Sequence, residues 1–153
     1  MTKDHAVQFS TEYPEFQEKR FIICVDRRHA VVYLAESRTI QKHSVIETPD
    51  TQYEYSDKEG FSVAPSGATF GAGQEEHNKE HYEKVFLNYF AEELKKLEQE
   101  EKIGLYHFFM PHEISNSVKG KIPKTILEHA IFHDGNLMKA EPLELIRRIF
   151  KRD

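Results

Sequence analysis

The sequence predicts an α/β protein in which helices pack on the faces of a mixed β-sheet within a single domain. Short apolar runs rich in β-branched and aromatic residues, typical of buried strands, occur in both halves of the chain. Between them, one long segment has the apolar spacing of an amphipathic helix. The 153 residues suffice for one hydrophobic core. We expect residues 1–19 to be an N-terminal extension and residues 20–153 to be the domain.

Three strands are expected in the first third of the chain. Residues Phe21–Val25 form an uninterrupted apolar run, which is typical of a fully buried strand. The polar turn Asp26–His29 separates this run from a second strand at Ala30–Ala35, so that the two strands form a hairpin. A third strand is expected at Gln41–Glu47.

A long helix is predicted at Glu75–Leu97, because apolar residues recur there at intervals of three and four. Its two leading glutamates suit the positive end of the helix dipole. The preceding residues 49–73 show no sustained periodicity and contain several glycines. Long connections of this kind are commonly functional or disordered, so we expect the tip of this loop to be exposed.

The second half of the chain is expected to complete the sheet. A strand is predicted at Ile103–Met110, a short helix follows with Ile114 and Val118 one turn apart, and another strand is predicted at Thr125–Phe132. Pro142 suits the first turn of a last helix. Its predicted buried stripe consists of Leu143, Ile146, Ile149 and Phe150.

Charge and composition limit the possible functions. The net charge of −5 argues against a nonspecific nucleic-acid coat, which is usually basic. Arg27 and Arg28 nevertheless form a basic hairpin tip that could hold phosphates, although a solvated turn is an equal alternative. A further basic cluster occupies 147–152.

The chain shows no apolar leader or membrane-spanning run, and its single cysteine, Cys24, lies in a buried run, which fits a reducing cytoplasm.

The segment His77–His81 matches the H-x-x-E-H pattern of some zinc hydrolases. Two histidines four residues apart share one helix face, as a metal site requires. No third ligand can be identified, however, and a solvated first helical turn explains the same residues. We therefore expect neither a metal at His77 and His81 nor any other cofactor, and a metal-dependent hydrolase remains an alternative.

Four segments follow one another in a recognisable order: Phe21–Tyr33, the long loop with the helix at 77–97, Leu105–Ile114 and Leu137–Ile149. In these segments the chain resembles the middle domain of eukaryotic and archaeal class 1 release factors and of Pelota. It resembles still more the small bacterial and archaeal relatives of that domain, which include host attachment proteins. The resemblance implies a ribonuclease H-like fold of the release-factor middle-domain type.

In release factors the loop carries Gly-Gly-Gln, whose glutamine promotes hydrolysis of peptidyl-tRNA. The corresponding residues here are Gly71-Ala72-Gly73-Gln74, in which alanine replaces the first glycine. A Cβ at this position restricts positive φ angles, which argues against catalysis. Glu75 and Glu76 follow where the family has basic residues, and RNA would repel them.

The resemblance therefore implies a translation-associated binding module that contacts the ribosome, tRNA or a ribosome-bound partner. Its expected RNA-binding residues are Arg27, Arg28, Gly71, Gly73 and Gln74. One alternative is an enzyme that hydrolyses peptidyl-tRNA through Gln74. Another is an interaction protein without any role in nucleic-acid binding, which the acidic composition favours.

Overall fold

The computed structural model describes residues 6–49 and 72–151, and it describes residues 72–78 by their backbone alone. Within these ranges six strands form one mixed sheet, and four helices accompany it. The strands are β1 Val7–Gln8, β2 Phe16–Val25, β3 His29–Ser37, β4 Thr39–Glu47, β5 Leu105–Met110 and β6 Ala130–Asp134. The helices are α1 Ala72–Glu100, α2 His112–Lys119, α3 Lys124–Leu127 and α4 Pro142–Phe150. The predicted α/β class is confirmed.

The sheet has the strand order β1-β4-β3-β2-β5-β6. Strands β2, β3 and β4 form an antiparallel meander, whereas β5 runs parallel to β2 and β6 runs parallel to β5. Strand β2 lies inside the sheet, with Phe21 opposite both Leu34 of β3 and Tyr106 of β5. This position explains its continuous apolar run, because both of its faces are covered.

Two hydrophobic cores lie on opposite faces of the sheet. The first lies against α1, where Phe86, Phe90 and Leu94 are fully buried, so the predicted apolar stripe of this helix is confirmed. The second lies beneath α4 and includes Cys24. Burial raises the pKa of the Cys24 thiol to about 12, which agrees with the predicted position of Cys24 in a buried run.

The N-terminal residues 6–19 pack onto the sheet. Strand β1 pairs with β4, with Val7 opposite Ile40. Phe9 and Phe16 are buried in the core beneath α4. The segment set apart as an extension thus supplies part of the second core.

Helix α1 begins at Ala72, three residues earlier than predicted. Alanine is the best helix former, and the N–H groups of the first turn need no intrahelical acceptor, so the glycine at 73 is tolerated there. Gly73 and Gln74 therefore lie in a helix, and the prediction of an open loop at these two residues was wrong. Gly71 lies outside the described residues.

Two predictions for the second half were also wrong. The first is the strand predicted at Thr125–Phe132: residues Lys124–Leu127 form a helical turn instead, and the strand spans Ala130–Asp134. The Pro123 carbonyl accepts hydrogen bonds from the N–H groups of Ile126 and Leu127, and burial of Ile126 outweighs the strand preference of β-branched residues. The second concerns α4: Leu145 is fully buried, and the predicted Leu143 is instead 46% exposed beside a groove, whereas Ile146 is buried and Ile149 and Phe150 pack against the second core as predicted. Among the described helices, none is long and apolar enough to span a membrane.

Candidate functional site

The predicted basic turn lies directly after β2, at the edge where the parallel strands β2 and β5 end. The Oδ1 atom of Asp26 accepts hydrogen bonds from the backbone N–H groups of Arg28, at 2.8 Å, and His29, at 2.7 Å. Aspartate commonly stabilises turns through such bonds to residues shortly downstream. Asp26 therefore holds the turn in shape, and both arginine side chains are exposed at its tip.

The basic turn docks on helix α1. The guanidinium of Arg27 donates a hydrogen bond of 2.5 Å to Oε1 of Glu83 and forms an ion pair with it. The guanidinium of Arg28 lies over the ring of Tyr82, 4.9 Å from its centroid. Neighbouring residues of α1 thus orient the two arginines, and Glu83 compensates part of their charge.

Helix α1 extends beyond this contact at its N-terminal end. Glu101, just after the helix, pairs with Lys19 near the start of β2, and Glu83 pairs with Arg27 just after its end. Eleven residues separate Ala72 from Glu83, so roughly 17 Å of helix precedes the contact at 1.5 Å per residue. The helical segment that carries Gly73 and Gln74 therefore begins at the same end of the molecule as the basic turn.

The candidate metal residues lie in this segment. The side chain of His77 falls outside the described part of the structure. The ring of His81 lies against Tyr82, with 5.7 Å between ring centroids. Among the side chains that the structure describes, no group of three or more His, Cys, Asp or Glu residues is arranged to hold a metal.

A chain of hydrogen-bonded side chains, not predicted from the sequence, lies on the α4 face of the sheet. Nη1 of Arg20 lies 3.1 Å from Nε2 of His107, and Nδ1 of His107 lies 3.0 Å from Nε2 of His133. Arginine can only donate, so Nε2 of His107 accepts and its Nδ1 carries the hydrogen. His133 then accepts at Nε2, which places the hydrogen of its neutral form on Nδ1.

Burial keeps both histidines neutral. It lowers the pKa of His107 to about 3, with smaller contributions from His133 and Arg20, and it also lowers the pKa of His133. His107 is a core residue, since it is only 2% exposed. Its position in an apolar strand indicated burial, but the partners could not be identified before the pairing of β5 with β6 was known.

Comparisons with known proteins assign no family. No family model matches the chain, and no curated protein matches it. The described structure thus defines an α/β protein with a basic turn docked on a long helix.

Proposed function

We propose that the protein is a cytoplasmic binding module that contacts the ribosome, tRNA or a ribosome-bound partner through the end of the molecule that carries the basic turn. The observation on which this proposal rests is the docking of Arg27 and Arg28 on Glu83 and Tyr82. It brings two guanidinium groups beside the helix that carries Gln74. Phosphate groups of RNA are the partners that such paired guanidiniums suit best.

The contacts of the basic turn leave it able to bind phosphate. A guanidinium has five N–H donors, and the hydrogen bond to Glu83 uses one nitrogen of Arg27. The Arg27 side chain is 61% exposed, and exposed ion pairs contribute only about 0–1 kcal/mol. A phosphate could therefore share the Arg27 guanidinium with Glu83, or displace the Glu83 carboxylate, at small cost.

Three segments that carry the resemblance to release-factor middle domains support the same proposal. The hairpin of β2 and β3 includes Asp26 and the basic turn, α1 is a long helix, and β5 runs through Pro111 into α2. These features agree with the middle-domain fold type that we propose for the chain. The buried, protonated Cys24 is compatible with a reducing cytoplasm.

A binding role is favoured over Gln74-dependent hydrolysis. Gly73 and Gln74 lie in the regular backbone of α1, where the conformational freedom of glycine has no use. Lys79 and Lys84 lie beside Glu80 and Glu83 on the same helix, so this stretch of α1 has no net positive charge. Such a surface offers little attraction to an RNA-lined catalytic centre, whereas the exposed arginines of the basic turn permit a peripheral contact.

Co-sedimentation of the protein with ribosomes from its own organism, at increasing salt concentration, tests the proposal. The Arg27→Ala, Arg28→Ala variant should lose binding, and the binding of the wild type should weaken with salt because phosphate contacts release counterions. Lys121→Ala, Lys124→Ala is the matched control, since these two exposed lysines lie in the connection from α2 to β6.

Peptidyl-tRNA hydrolysis should be measured on the same samples, together with Gln74→Ala. Salt-sensitive binding that requires the two arginines and occurs without hydrolysis agrees with a binding module. Hydrolysis that requires Gln74 would make the protein an enzyme, and equal ribosome binding by the arginine variant and the lysine control would contradict the proposed surface.

A further inference from the structure

A small groove lies between the N-terminal segment and helix α4. We call it the basic groove; it has a volume of about 300 Å³ and is lined by Tyr13, Arg147, Arg148 and Lys151. Phe150, near the end of α4, stacks on Phe16 at the start of β2. The turn at Arg27 and Arg28 follows the end of β2, so the basic groove and the basic turn lie at opposite ends of this strand.

The arginines of the basic groove are held side by side. One carboxylate, that of Glu144, accepts hydrogen bonds from Nη2 of Arg147 at 2.7 Å and from Nε of Arg148 at 2.9 Å. Both arginine side chains remain substantially exposed, at 65% and 44%. Lys151 adds a third positive charge, so the groove is cationic although the whole chain is acidic.

Tyr13 forms one end of an aromatic stack. Its ring stacks on Phe150, with 5.6 Å between centroids and an angle of 18° between the planes. Phe150 stacks in turn on Phe16 at 5.4 Å, and the guanidinium of Arg20 covers the Phe16 ring at 4.2 Å. The stack fixes the orientation of Tyr13 where it lines the groove, and a fixed aromatic ring is a platform for a nucleobase.

A second, wider groove of about 530 Å³ continues from the basic groove, since Tyr13 and Arg147 line both. Its other charged residues are the acidic Glu12, Glu141 and Glu144. Phosphates are therefore attracted to one side of Tyr13 and repelled from the other. This asymmetry suits a ligand in which a flat base lies next to a charged phosphodiester.

We propose that the basic groove binds single-stranded nucleic acid, with one base stacked on Tyr13 and the adjoining phosphates held by Arg147, Arg148 and Lys151. An acidic peptide would satisfy the positive charges but would make no use of the aromatic platform, so the geometry favours a nucleic acid. The site does not rest on ribosome binding, and it uses none of the residues of the basic turn.

Fluorescence anisotropy of the full chain with a labelled single-stranded RNA of about ten nucleotides tests this site. Replacing the cations in Arg147→Ala, Lys151→Ala should weaken binding at least about ten-fold and flatten its dependence on salt. Tyr13→Leu should weaken binding roughly five- to one-hundred-fold with the salt dependence retained, because stacking involves no counterions. Tyr13→Phe keeps the stack and should bind like the wild type.

Lys121→Ala, Lys124→Ala serves again as the charge-matched control, and thermal unfolding shows whether each variant is folded. Three results would overturn the site: no binding at low salt, equal weakening by the lysine control, or unchanged binding by a folded Tyr13→Leu. Competition by poly-glutamate as strong as that by unlabelled RNA would assign the groove to an acidic protein.

Discussion

His107 of β5 and His133 of β6 are joined ring to ring: Nδ1 of His107 lies 3.0 Å from Nε2 of His133, and the ring centroids are 5.3 Å apart. Phe109 lies directly opposite His133 in the parallel pairing, so the two histidines are diagonal neighbours on one face of the sheet. Arg20 donates to the other nitrogen of His107. The order of donors and acceptors admits only neutral imidazoles, because a proton added to His107 at Nε2 would face the donor of Arg20.

This arrangement predicts a loss of stability in mild acid. The folded pKa of His107 is about 3, below the value of about 6.5 expected when unfolded, so the unfolded chain binds more protons between these values. The stabilising effect is complete above about pH 6.5 and declines as the pH falls, by up to about 1.4 kcal/mol per pH unit for one group. The lowered pKa of His133 acts in the same direction. Chemical denaturation between about pH 6.5 and 4.5 measures the slope.

His107→Gln separates this effect from general acid denaturation. The amide oxygen can accept from Arg20 and the amide nitrogen can donate to His133, but the side chain does not titrate. We expect a shallower slope in this variant. His129→Gln, at an exposed position, is the matched control and should keep the slope of the wild type. Equal slopes in all three proteins would show that the histidine chain does not determine the acid sensitivity.

Phe86→Ala tests the packing of α1 against the sheet. The Phe86 side chain is fully buried and stacks on Phe90 at 5.6 Å, so its removal should lower the free energy of unfolding by about 3–5 kcal/mol. Asn88→Ala on the exposed side of the same helix should change it by less than about 0.5 kcal/mol. Urea denaturation of both variants makes the comparison, and a small effect at Phe86 would contradict the described core.

Two glycines should respond oppositely to replacement by alanine. Gly135 has a φ of 136°, which side chains rarely adopt, so Gly135→Ala should destabilise by about 1–3 kcal/mol. Gly120 follows α2 with a φ of −66°, and an added Cβ would meet only ordinary contacts at 3.5 Å. Gly120→Ala should therefore stabilise by about 0.4–1 kcal/mol, chiefly by restricting the unfolded chain. Thermal unfolding of the pair measures both effects, and the same sign in both would contradict the backbone described here.

The sequence predicted the elements whose burial is uniform along their length. Phe21–Val25 is apolar because β2 is covered on both faces, and the stripe of α1 is apolar because one core covers it. The helical turn at Lys124–Leu127 was missed because its formation depends on the burial of Ile126, which is a tertiary effect. Local pattern alone cannot reveal such an environment.

The candidate sites, too, could be predicted from the sequence only in part. The turn at Arg27 and Arg28 could be located from its polar residues between two apolar runs. The docking of this turn on Glu83 could not be predicted, because 56 residues separate Arg27 from Glu83 in sequence and only the placement of α1 brings them together. The link between His107 and His133 likewise depends on the pairing of β5 with β6.

Glu83→Gln tests the proposal that the basic turn contacts ribosomal RNA or tRNA. Removing the carboxylate frees the charge of Arg27 and should alter stability by no more than about 1 kcal/mol, because the pair is at the surface. Ribosome co-sedimentation of wild type and Glu83→Gln at several salt concentrations is the measurement. We expect tighter and more salt-dependent binding in the variant, whereas unchanged or weaker binding would rule out a role for Arg27 in holding phosphate.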